Sequence, residues 1–163
     1  MRLFFFYFLL LLIQGFLGTL LAPWPAPDLF LLAMMTLIWR LQAWQLVLVG
    51  YGIGLLQDII GHGEWGVHAF GLAGAAMVAS LLKAQLSQRG VFTRSLLFLA
   101  AFAGKWLAVT PLVLWQTGTT SSLEGILRVL PVELLFTLLA SLVIIPWGDA
   151  LMERTLLTRR NDI

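Results

Sequence analysis

Residues 50–72 read GYGIGLLQDIIGHGEWGVHAFGL. Seven glycines, two histidines, an aspartate and a glutamate fall in this stretch. Long apolar runs flank it on both sides. Acids and flexible residues between lipid-soluble segments admit four readings: a catalytic site, a metal site, a ligand mouth, or a turn joining two membrane helices. Which one holds decides the fold.

Composition selects the class. Of 163 residues, 60% are hydrophobic and 11% charged, with a mean hydropathy of +0.94. An ordinary soluble domain is about half apolar and about a quarter charged. The chain therefore reads as an all-α integral membrane protein. A transmembrane barrel would show short alternating segments, whereas these runs are continuous. There is no cysteine, which excludes a disulfide framework or a thiolate site. The formal charge of +2 is too small to point to nucleic acid.

Apolar runs predict six transmembrane helices in one polytopic domain over residues 1–163, at about 3–21, 27–39, 43–60, 66–82, 95–115 and 127–147. The first exceeds the core of a signal peptide and is read as a retained span. Basic residues set an N-in/C-in orientation. Arg2, Arg40, Lys83, Arg89, Arg94, Arg154, Arg159 and Arg160 then lie inside, and Arg128 alone outside. Asp28, Asp58, Glu64 and Glu124 fall in the outer loops. Trp24, Trp65, Trp115 and Trp147 mark the interfaces.

Helices three and four carry small residues at close spacing: Gly50 and Gly54, then Gly71, Gly74, Ala75, Ala76, Ala79 and Ser80. Small residues let helix backbones approach in lipid, so these helices pack on each other or on another chain. Asp58, Gly66 and His68 lie at the turn between them. The candidate partner-binding surface is Gly50, Gly54, Asp58, Gly66, His68, Gly71, Ala75 and Ala79. A second face is Gln14, Gly15 and Gly18 of helix one. A homodimer through either face competes with a foreign partner.

Asp58 and His62 are spaced i, i+4, with Glu64 and His68 nearby, which raises metal binding. Gly61 and Gly63 would break the helix that makes that spacing meaningful. No metal site, cofactor or catalytic motif is expected here. The simpler reading has Asp58 bonding turn amides at the helix end. Lys105 and Glu133 fall within spans five and six, where a charge is costly unless paired. They are expected to form an ion pair. Gln14 is expected to donate an interhelical hydrogen bond.

Further residues carry a resemblance. PDLFLLAMM begins at Pro27, and the opening stretch continues as a glycine-bearing helix, Gly-Leu-Leu-x-Asp, a turn, and Gly-x-His-Ala. In this order the motifs resemble the MreD family of rod shape-determining proteins. The specific part covers residues 27–82; the rest agrees in layout. Matching positions are Pro27, Asp28, Gly54, Leu55, Asp58, Gly66 and His68. The resemblance implies a non-enzymatic scaffold in the bacterial cytoplasmic (inner) membrane, part of the cell-elongation complex that supports lateral peptidoglycan synthesis. It implies direct binding to MreC, a single-span protein, and indirect links to MreB, RodA and its class B transpeptidase. It further implies a fold similar to the substrate-binding component of energy-coupling-factor transporters. The alternative is a small-molecule-binding component of a transporter, against which the short outer loops count. An intramembrane enzyme would need a motif that the sequence does not display.

Overall fold

A computed structural model describes residues 2–61, 65–86, 90–118 and 121–160. His62, Gly63, Glu64 and Arg89 lie outside the described residues. Six helices form among the described residues, and no strand. They are α1 (Arg2–Leu20), α2 (Leu29–Thr36), α3 (Ala43–Gly61), α4 (Val67–Gln85), α5 (Val91–Thr117) and α6 (Ser121–Arg160). Four are long and apolar enough to cross a membrane, over Ala43–Ile60, Val67–Gln85, Phe92–Thr117 and Leu123–Leu151. A helix satisfies its backbone polar groups internally, which is why continuous apolar runs adopt it in lipid.

The second segment departs from expectation. Helix α2 has 8 residues, about 12 Å at the helical rise, too short to cross by itself. All of its residues are buried. It sits at the centre of the bundle and touches each of the other five helices. Asp28 caps its start, and its far end closes in turns over residues 37–41. There Lys83 Nζ donates to the carbonyls of Ile38 at 2.6 Å and Leu41 at 3.1 Å. Lys83, read from sequence as an orientation signal, also ties α4 to the end of α2. Helix α5 begins four residues before the expected span, and α6 extends well beyond 127–147 at both ends.

The small residues do their work inside the chain. A Cβ on Gly54 would collide with the backbone of Ala69 in α4, and one on Gly50 would stand 2.9 Å from the Leu72 carbonyl oxygen. Gly71 faces Val109 of α5, and Gly74 meets Gly104 across the α4–α5 contact. Ala75 and Ala79 are fully buried. Of the two expectations for Gly50, Gly54, Gly71, Ala75 and Ala79, packing on each other or on another chain, the structure shows packing within the chain. The face they offer is consumed by α3–α4 and α4–α5 packing and is not open to a partner. By contrast, nothing lies within 4 Å of where a Cβ on Gly15 or Gly18 of α1 would stand.

Candidate functional site

Two buried aspartates organise the end of the bundle where α1, α3 and α5 finish and α2, α4 and α6 begin. The sequence placed both in the outer loops, with Asp58 bonding turn amides at the helix end, and Asp28 and Asp58 are each only 2% exposed.

Asp58 lies on the last turn of α3 and serves the start of α4. Its Oδ2 accepts from the backbone N–H of Gly66 at 2.9 Å and of Ala69 at 3.2 Å. Its Oδ1 accepts from His68 N at 3.0 Å and from His68 Nδ1 at 2.8 Å. The first amides of a helix lack intrahelical partners, and its positive dipole end favours an anion. Gly66 is reached at φ +92°, a backbone that residues with a Cβ seldom adopt. Asp58, Gly66 and His68 are thus brought together in the amide-bonding arrangement expected for Asp58 at the helix end. His62, the other half of the suggested metal spacing, lies outside the described residues. Among the described residues no three His, Asp or Glu gather into a metal-holding group.

Asp28 serves α2 in a parallel way. Its Oδ1 accepts from Leu31 N at 2.9 Å. The residues before α2 are non-helical, and their amides need partners at a depth where water is scarce. Asp28 N donates to Thr137 Oγ1 at 2.9 Å, and Leu29 N donates to Gln14 Oε1 at 2.8 Å. Gln14 was expected as an interhelical donor. It instead accepts from the backbone, because a helix start presents unmet N–H groups.

The Oδ2 of Asp28 faces Lys105. Lys105 Nζ lies 2.6 Å from that oxygen and 2.6 Å from Glu133 Oε1. The lysine is 6% and Glu133 7% exposed. The pair expected from α5 and α6 is present as part of a triad. Its third member, Asp28, escaped the sequence reading because Pro27-Asp28 looks like a loop. The observable hint was PDL at the head of an apolar run, an N-cap signature. The ammonium occupies the point where the two carboxylates converge, the position a bound cation would otherwise take.

A cavity of about 290 Å³ lies over this triad. Its wall runs from Pro25 and Ala26, past Val67 and His68 at the α4 start, down to Lys105 and Glu133. Gln57 and Trp106 also line it, and Gln57 Oε1 and Trp106 Nε1 are buried without a hydrogen-bond partner. Polar side chains reach the largely apolar cavity from five helices, Gln14 of α1, Gln57 of α3, His68 of α4, Lys105 and Trp106 of α5 and Glu133 of α6, with Asp28 at the head of α2. Loop composition could not reveal that convergence. Trp106 additionally borders an apolar groove of about 690 Å³ between α5 and α6.

Compared with known proteins, the chain matches no family model, no curated protein and no solved structure.

Proposed function

We propose that this chain is a non-enzymatic scaffold of the cell-elongation machinery in the bacterial inner membrane, similar to MreD, which binds the single membrane span of MreC. In this reading six segments cross the bilayer with both termini inside. The short α2 and its flanking turns together make the second crossing, in a fold like that of the transporter substrate-binding components. The observation that carries the reading is the use of the resemblance residues. Asp28 and Asp58 are spent on helix starts and on one lysine. They build the bundle rather than activate a nucleophile. Pro27, Asp28, Asp58, Gly66 and His68 make one coherent architecture at one end of the molecule.

The partner face moves accordingly. Helix α1 presents Phe5, Leu12 and Phe16 outward, beside the open Gly15 and Gly18. A notch of small residues between large apolar ones suits a foreign helix. Co-expression with MreC, followed by purification in detergent and native mass spectrometry, tests this. A stable complex with wild type, lost in Gly15→Leu and Gly18→Leu variants that keep the wild-type melting temperature, is the expected result. A complex that no α1 substitution weakens refutes the α1 interface. Failure of MreC to associate at all refutes the scaffold reading.

A second reading, a small-molecule-binding membrane component, is favoured by the cavity above the triad, where Gln57 Oε1 and Trp106 Nε1 have no hydrogen-bond partner.

A further inference from the structure

The charges around the 290 Å³ cavity do not balance. We propose that it binds a small ligand bearing an ammonium group and a neighbouring acceptor oxygen, an amino alcohol or its phosphodiester. Glu133 and Gln57 receive the ammonium, and Trp106 donates to the oxygen. The inference deepens the second reading and is independent of the first.

Two carboxylates, Asp28 and Glu133, border the cavity, and one ammonium, Lys105, answers both, while Asp58 beside it is bonded to His68. Asp28 and Asp58 each lie at a helix N-terminus, whose partial positive charge offsets part of theirs. Glu133 lies in the body of α6 and has no such help. It shares Lys105 with Asp28, so one lysine stands between two buried carboxylates. An uncompensated buried charge is costly in a low-dielectric setting. Glu133 commits Oε1 to the lysine, while Oε2 takes no hydrogen bond from any described residue.

The vacant polar atoms match the ligand. Gln57 Oε1 is an acceptor and Trp106 Nε1 a donor, both buried and both unpartnered. Buried polar groups without partners are uncommon in folded proteins and call for a reason. The Trp106 ring lies 5.5 Å from Lys105 Nζ, so it already tolerates a cation at its face. The cavity volume is near the lower end for ligand pockets, about 300 Å³, which suits a head group or a small amine. Because Trp106 also borders the apolar groove, the same chemistry can arrive in two ways: as a water-borne amino alcohol, or as the head of an amine lipid.

Purified protein in detergent would be melted with increasing ethanolamine, and with acetate and ethylene glycol as an anionic and a neutral probe. In parallel, native mass spectra would compare phosphatidylethanolamine with phosphatidylglycerol adducts. Ethanolamine at saturation is expected to raise Tm by roughly 3 °C, or phosphatidylethanolamine to be retained preferentially. The first result assigns a soluble source, the second a lipid. Glu133→Gln and Gln57→Leu should each weaken binding about tenfold, as loss of a charge-assisted bond implies. Should Glu133→Gln fail to fold, Gln57→Leu and Trp106→Phe leave the ion triad intact and decide the matter. Amine binding that survives all three changes overturns the proposed site. Stabilisation by acetate or ethylene glycol alone overturns the ammonium class while leaving a small-molecule reading in place. Response to none of the probes overturns both.

Discussion

Lys105 holds two carboxylates at once, and that makes its removal unlike the removal of either acid. Lys105→Met would leave Asp28 and Glu133 facing each other without a cation. Breaking a buried pair by deleting one partner costs about 3–5 kcal/mol, so this variant should melt far below wild type. Adding Glu133→Gln and Asp28→Asn to it removes the unpaired charges and should restore part of the loss. If the three changes prove additive in Tm, the triad has no energetic coupling. Asp58 is a separate case, because its partners are mostly backbone. Asp58→Ala leaves the Gly66, His68 and Ala69 amides unmet and should cost about 3 kcal/mol, given about 1–3 kcal/mol per stranded buried group. Asp58→Asn keeps two acceptor lone pairs and should lose less. An Asp58→Ala protein that melts like wild type would show that the cap is unimportant. At this scale the sequence disclosed that Lys105 needed a partner, since a lone charge in lipid is expensive. It did not disclose Asp28, because whether Pro-Asp-Leu sits in water or inside a bundle depends on helices far away in the chain. Thr137 lies 109 positions from Asp28.

At the level of elements, helix α4 is the axis of the packing, with α3 on one side and α5 on the other. Spacing of small residues made a close approach of α3 and α4 legible. The α4–α5 contact was less so, since Gly104 stands alone in α5 and pairs with Gly74 only once the helices are side by side. Gly54→Leu should therefore fail as a probe of partner binding: its side chain would enter the α4 backbone, and reduced expression or a collapsed melting transition is expected before any partner is added. Overpacking of this kind commonly costs about 1–3 kcal/mol and more where backbone is met. A Gly54→Leu protein that melts like wild type would show that α3 and α4 are not in direct contact. Helix α2 was misjudged for a physical reason. Its composition is uniformly apolar, so periodicity cannot say where the helix ends, and its true limits are set by the Asp28 cap and the Lys83 clasp at the other end.

For the molecule as a whole, the path of α2 through the membrane fixes the topology, and the cysteine-free chain allows it to be mapped by single-site labelling. Among the described residues four helices meet the length and hydropathy of a span, α1 (Arg2–Leu20) is a 19-residue helix that is largely apolar from Leu3 on, and α2 is a buried fragment. A six-span arrangement requires residues 21–28, α2 and the following turns to cross the bilayer together. Non-helical backbone is tolerated at that depth only when protein encloses it. Gln14, Thr137 and Asp28 supply that enclosure at one end, and Lys83 at the other. Single cysteines at Trp24, Trp65 and Gly118 should then react with a membrane-impermeant maleimide from outside the cell. Cysteines at Gln42 and Gln85 should react only after permeabilisation. These positions lie in or beside the connecting segments, away from the core. Were Trp24 and Gln42 to label from the same side, α2 would be a re-entrant plug beside five crossings, those of α1 and α3 to α6. The basic residues at the two ends of the chain would then no longer specify a common face.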